Sequence, residues 1–239
     1  MNPILIPLDV PSATEATALA DKLRGAVGGF KIGKQLFTAA GPDVVRALVS
    51  RDDRVFLDLK FHDIPNTVAG AVASATELGV WMVNVHASGG TAMMEAARDA
   101  AEKTAAKTGR PRPLVIAVTV LTSLDAATLT AVGVDRSPLD QVVLLAQLTK
   151  AAGLDGVVAS PQETAAIRQA CGPNFVIVTP GIRGGSAASG PDDQQRTMSP
   201  SGAIAAGSSY LVIGRPITGA PDPREAAGRI VQEIAGSLA

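Results

Sequence analysis

Between Asp58 and Asp63 the chain sets two carboxylates, a lysine (Lys60) and a histidine (His62) within six residues, directly after the apolar run Val55-Phe56-Leu57. The run Val55–Lys60 reads as a strand, on which alternate side chains share a face, so Asp58 and Lys60 point the same way. Asp63 follows just past the strand, where Pro65 opens a helix. Holding acid, base and acid in so short a reach has an electrostatic cost that packing alone does not require. Lys31, in the strand candidate Gly29–Gly33, extends the set to an alternating network of Lys31, Asp58, Lys60 and Asp63. Each ammonium offsets the repulsion between its carboxylate neighbours. Such a network can deliver a proton or stabilise negative charge developing on carbon, but it lacks the His or Cys nucleophile of acyl transfer. The competing readings are a structural salt-bridge cluster and a magnesium site. Two carboxylates can hold Mg²⁺ through oxygen, but Lys60 between them competes with the ion, and no metal is expected.

A second chemical signal lies near the C-terminus. The run Val178-Thr179-Pro180-Gly181-Ile182-Arg183 and the run Val212-Ile213-Gly214-Arg215-Pro216-Ile217 both end apolar stretches on a glycine and an arginine. Gly214 permits close backbone approach, and the Arg215 guanidinium suits a phosphate dianion. The histidines carry less. His86 shares a face with Asn84, and both His62 and His86 read as supporting residues rather than catalytic ones.

These residues need a frame that brings them together. Eight strand candidates, Ile4–Val10, Gly29–Gly33, Val55–Lys60, Trp81–Ala87, Leu114–Val120, Gly156–Ser160, Phe175–Pro180 and Tyr210–Pro216, alternate with Ala- and Leu-rich helical segments. The helical segments are Thr14–Val27, Asp43–Arg51, Thr67–Leu78, Thr91–Lys107, Leu139–Ala152, Glu163–Ala170, Ser201–Ala206 and Pro223–Ile234. Strand and helix in alternation predict a parallel sheet, and eight repeats predict closure into a (β/α)8 (TIM) barrel spanning residues 1–239 as one domain. An open doubly wound sheet shows the same local pattern, but no Gly-x-Gly-x-x-Gly follows the first strand. The barrel also explains why polar residues (Asp9, Lys31, Asp58, Lys60, Asn84, His86, Thr122, Ser160, Arg183, Arg215) collect at strand ends, because closure brings those ends to one mouth. The long Gly- and Ser-rich stretch Gly184–Gln195 follows strand seven, a position that favours an active-site lid.

Composition narrows the class. Of 239 residues, 46% are hydrophobic and only 3% aromatic, so the core is built from small aliphatic side chains, as buried parallel strands require. A net charge of −1 without a basic cluster excludes nucleic acid as the main partner. The single cysteine, Cys171, rules out an intramolecular disulfide and a thiolate metal cluster, and it reads as a filler near a helix end. No stretch approaches the roughly 18 apolar residues of a membrane span, and a cytoplasmic protein is expected.

The run Asp58-Leu-Lys-Phe-His-Asp-Ile-Pro-Asn-Thr67 resembles the signature of the orotidine 5'-phosphate decarboxylases, of the bacterial single-function type. The resemblance continues in order through Leu8-Asp9, Phe30–Lys34, Val83–Gly90, Val118–Ser123, Thr179–Arg183 and Val212–Pro216. It implies a cofactor-independent carboxy-lyase converting orotidine 5'-monophosphate to uridine 5'-monophosphate and CO2. By the same resemblance Lys60 protonates C6 of the pyrimidine, Asp58 sits beside the departing carboxylate, and Lys31 binds the ribose and ties the network together. Asp63 matches a carboxylate that reaches into a neighbouring subunit's site, which implies a homodimer. Asp9 matches a ribose ligand; Ile64, Thr67, Thr122, Ser123 and Pro180 match substrate contacts. Gln194, beside Gln195, matches a loop glutamine bridging pyrimidine and phosphate, while Arg183, Gly214 and Arg215 match the phosphate end. A 3-keto-gulonate-phosphate decarboxylase carries a related Asp-x-Lys-x-x-Asp and uses Mg²⁺, but Phe61-His62 and the Gly-Ile-Arg motif favour the nucleotide enzyme. A non-catalytic nucleotide-binding barrel is the remaining alternative.

Overall fold

The computed structural model describes residues 2–183 and 197–237. Eight parallel strands run β1 (Ile4–Pro7), β2 (Gly29–Gly33), β3 (Val55–Phe61), β4 (Met82–His86), β5 (Leu114–Val118), β6 (Gly156–Val158), β7 (Val176–Thr179) and β8 (Tyr210–Val212). Each pairs with the next, and β1 pairs with β8, which closes the barrel and excludes the open sheet.

The helices are α1 (Ala13–Leu23), α2 (Lys34–Ala40), α3 (Asp43–Val49), α4 (Pro65–Leu78), α5 (Thr91–Thr108), α6 (Ala126–Ala131), α7 (Pro138–Ala151), α8 (Thr164–Cys171), α9 (Pro200–Ala205), α10 (Arg215–Thr218) and α11 (Pro223–Gly236). Their starts follow local chemistry. Ser12, Asp125, Ser137, Ser199 and Asp222 each accept a first-turn backbone N–H through the side chain, and Pro138, Pro200 and Pro223 fill positions whose N–H has no helical partner. Gly79 and Gly109 end α4 and α5 in the left-handed conformation that glycine adopts most easily.

Strand alternation sorts the side chains into two cores. Leu5, Phe56, Met82, Ile116 and Val178 fill the barrel interior, while their neighbours, among them Leu57, Val83 and Val115, pack outward against the helices. Lys31, Asp58 and Asn84 fall on the inward phase of β2, β3 and β4; Lys31 is paired with Phe56, and Asp58 and Asn84 stand two residues beyond Phe56 and Met82 on their strands.

Several boundaries differ from the sequence reading. Strands β1, β5, β6 and β8 end earlier, although Leu8, Thr119, Ala159 and Ile213 just beyond them each still donate a backbone N–H to the neighbouring strand; Val10 and Val120 line a cavity. Tyr210–Pro216 is not one strand: Pro216 has no N–H for a ladder but suits a helix start, and Arg215 opens α10. Helices α2, α6 and α10 were not expected. Their 7, 6 and 4 residues are too few to establish an apolar period in the sequence. Cys171 ends α8 and is buried, as its reading as filler required, and burial pushes its thiol upward.

Candidate active site

The barrel mouth opens on a cavity of about 540 Å³. Asp9, Lys31, Asp58 and Lys60 line one side of it, and Pro180, Arg183, Gly214 and Arg215 another; Thr122 also contributes, and Phe56 lies beneath them as part of the barrel interior.

The charged side is a continuous chain. Asp9 Oδ1 lies 3.2 Å from Lys31 Nζ, Lys31 Nζ lies 3.5 Å from Asp58 Oδ2, and Lys60 Nζ donates to Asp58 Oδ1 at 2.6 Å. The Lys31 and Asp58 side chains are only 11% and 12% exposed, so the low local dielectric strengthens their pairing. Lys60 is 26% exposed and Asp9 54%, which places both where a ligand can reach them. Gly33 makes room for this chain. A Cβ there would stand 2.9 Å from Lys31 Nζ and 3.2 Å from Asp9 Oδ1, so any larger residue displaces the lysine.

Simple strand alternation does not account for Lys60. Leu57 pairs with Val83 and Phe61 with Val85, so Asp58, Leu59 and Lys60 together face the single residue Asn84. The strand bulges, and Lys60 takes φ +54°, a left-handed conformation costing about 1–2 kcal/mol for a non-glycine residue. Asn84, fully buried, fills the broken ladder. Its Oδ1 accepts the Lys60 backbone N–H at 2.9 Å, and its Nδ2 donates to Asp58 Oδ1 at 2.7 Å. Sequence reasoning placed Asn84 at the mouth but gave it no role, because the bulge that makes its amide necessary is a feature of pairing.

Other expected residues lie elsewhere. Asp63 is exposed and accepts the Ile64 N–H at 2.6 Å; it is outside the cavity and outside the Asp9–Lys31–Asp58–Lys60 chain, contrary to the four-membered network read from sequence. The reason is the turn after β3, which carries Asp63 past the rim. Ile64, 67% exposed, caps the start of α4 at the end of that turn, and Thr67, also exposed, lies in the first turn of α4. Thr122 and Ser123 fall in the loop beyond β5 rather than at its end; Thr122 lines the cavity and Ser123 is exposed. Ser160 is buried and accepts the Gln162 N–H. Gln194 and the expected lid, Gly184–Gln195, lie outside the described residues. His62 and His86 stack beside the site with ring centroids 5.3 Å apart, and burial, followed by the charge of His62, lowers His86 to about 4.

A closed parallel barrel with a lysine–carboxylate chain on one side of its mouth and arginines on another is the build of an enzyme that works on an anionic small molecule. Residues 2–230 match the model of the Orotidine 5'-phosphate decarboxylase / HUMPS family. The orotidine 5'-phosphate decarboxylase of Moorella thermoacetica is 56% identical over 232 residues, covering 97% of this chain and 91% of that protein. That of Syntrophotalea carbinolica is 54% identical over 235 residues, covering 98% and 96%. The crystal structure of the Lactobacillus acidophilus orotidine 5'-phosphate decarboxylase superposes with a TM-score of 0.85 at 35% identity, covering 98% of this chain and 99% of that one. The chain belongs to the orotidine 5'-phosphate decarboxylase / HUMPS family.

Proposed function

We propose that this chain decarboxylates orotidine 5'-monophosphate to uridine 5'-monophosphate and CO2 in pyrimidine biosynthesis. The observation that carries the reading beyond family membership is the position of Lys60. Its ammonium is held 2.6 Å from Asp58 at the rim of a cavity whose other lining includes Gly214 and Arg215. A nucleotide fits this polarity with its phosphate at Arg215, helped by Arg183, and its pyrimidine toward Asp58 and Lys60. Asp9 and Lys31 then meet the ribose, and Thr122 and Pro180 border the ligand.

The chemistry follows from that pose. The bond from C6 to the carboxylate breaks, its electron pair stays on C6, and CO2 leaves. Lys60 Nζ stabilises the charge as it develops and gives C6 its proton; the amine regains one from solvent. Asp58 orients Lys60 and stands where the departing carboxylate would lie. Phosphate binding far from C6 contributes energy that holds the reacting end in place.

The same reading assigns Asp63, Ile64 and Thr67 to the site of a second copy. Asp63, Ile64 and Thr67 are all exposed next to one another, outside their own chain's cavity, where a second copy can meet them. Gln194 and Ser123 complete the proposed ligand contacts.

A spectrophotometric assay on orotidine 5'-monophosphate, run with and without a metal chelator, tests the activity. Turnover that survives chelation is expected; absence of turnover with intact folding overturns the reading, and loss on chelation transfers it to a metal-dependent relative. For the shared site, folded Lys60→Ala and Asp63→Ala proteins mixed under subunit exchange are expected to regain activity through hybrid dimers with one intact site. A mixture that exchanges subunits and stays inactive removes Asp63 from the partner's site.

A further inference from the structure

We propose that Asn84 is a positioning residue for the decarboxylation, fixing Lys60 and Asp58 through a single side-chain amide; this rests on the decarboxylase reading above. In the three-against-one bulge the Lys60 N–H is taken by the Asn84 side chain, whose Oδ1 accepts it at 2.9 Å. A buried N–H left without an acceptor costs about 1–3 kcal/mol. That is comparable to the cost of the left-handed Lys60 backbone, so the amide helps decide whether the bulge exists in this form.

The other end of the amide sets the carboxylate. Asp58 Oδ1 receives both Asn84 Nδ2 at 2.7 Å and Lys60 Nζ at 2.6 Å, while Oδ2 faces Lys31 Nζ at 3.5 Å. One residue therefore controls the Lys60 main chain and the acceptor of the Lys60 ammonium. The polarity has one solution. Turning the amide over would set an N–H against the Lys60 N–H and an oxygen against the Asp58 carboxylate. Neither an apolar isostere nor an ionised carboxylate supplies both a donor and an acceptor.

Asn84 does not reach the phosphate end, so its loss separates chemistry from binding. The titratable groups around it are Asp58 and Lys60 on β3, Lys31 on β2 and His86 on its own strand; Ile116, its partner on β5, brings none. In Asn84→Asp the ionised form presses a second carboxylate against Asp58, whereas the protonated form restores an O–H donor and keeps the acceptor for the Lys60 N–H.

The test measures kcat and KM for wild type, Asn84→Leu and Asn84→Asp from pH 5 to 9, with folding checked by circular dichroism. Asn84→Leu is expected to lose about 10²-fold in kcat at every pH while KM moves by less than about 3-fold, the scale of a reacting group displaced by about 1 Å. Asn84→Asp is expected to show a similar deficit at pH 8 that shrinks, relative to wild type at the same pH, as acid is added. A folded Asn84→Leu with wild-type kcat, a KM rise that matches the kcat loss, or an Asn84→Asp deficit unchanged by acid overturns the proposal. Failure of both variants to fold at any pH overturns it too, because Asn84 is then a strut of the barrel. If wild type shows no turnover, the decarboxylase reading falls and this proposal with it; active wild type beside an active Asn84→Leu sinks the positioning role alone.

Discussion

The two ends of this barrel both carry charge, and they use it differently. At the N-terminal end, the charges sit in the segments that lead into strands and are Arg-based. Arg24 grips Asp53 through two hydrogen bonds of 2.9 and 2.7 Å. Arg112 reaches both oxygens of Asp155, whose Oδ2 also accepts the Val115 N–H at 2.7 Å. Arg168 donates to the carbonyls of Gly172, Pro173, Phe175 and Gly207, tying the entries of β7 and β8 to α8. The planar guanidinium suits this use, because its fixed fork satisfies several acceptors at once. At the mouth the cations on the Asp58 side are lysines, compact and adjustable, and they meet carboxylates that face a cavity rather than a backbone. One end closes loops; the other holds charge ready for a ligand. In (β/α)8 barrels that division between a stabilising face and a catalytic face is the general rule.

Variants at the two ends should therefore fail differently. The largest effect belongs to the mouth: Lys60→Ala is expected to lower kcat by about 10⁴-fold or more, since proton delivery and charge stabilisation leave together. Its unfolding midpoint should shift little, and near-normal turnover would break the comparison. Arg168→Ala should do the opposite. Carbonyls at the entries of two strands lose their donor, and about 3 kcal/mol of stability in a urea titration is expected to go with it. The folded fraction should keep its kcat; a loss of kcat without a loss of stability would blur the two ends. Arg215→Ala should raise KM by about 10²-fold, as expected for lost charge-assisted contacts to a phosphate. An unchanged KM would remove Arg215 from the phosphate end.

The smallest effect concerns pH. His86 titrates near 4 when folded and near 6.5 when unfolded, so between those values the unfolded chain binds more protons. Folding stability is complete above pH 6.5 and falls as pH drops toward 4. His86→Gln should flatten that slope between pH 6.5 and 5, measured against wild type in parallel urea titrations. An identical slope would mean that His86 is solvated in the folded protein.

Much of this was legible in the sequence because strand burial has a period of two. That period put Asp58 and Lys60 on one face, and closure of the barrel gathered Lys31 with them at one mouth. The start of α11 at Pro223 was read correctly, and α7 begins at Pro138, one residue before the expected Leu139. The bulge at Lys60 was not legible, because it depends on how β3 registers against β4 rather than on either sequence alone. Asn84 was passed over for the same reason. Asp63 belongs to the Asp58–Thr67 run in sequence, yet the turn after β3 takes it out of its own cavity. Sequence proximity does not make it a member of its own chain's Asp9–Lys31–Asp58–Lys60 set.

The most direct test of the division between mouth and floor is to measure kcat on orotidine 5'-monophosphate and the urea unfolding midpoint for Lys60→Ala and Arg168→Ala together. The expected result is a crossing: Lys60→Ala stable and inactive, Arg168→Ala destabilised but active while folded. Lys60→Ala retaining turnover, or both variants losing stability and activity in proportion, would contradict the account.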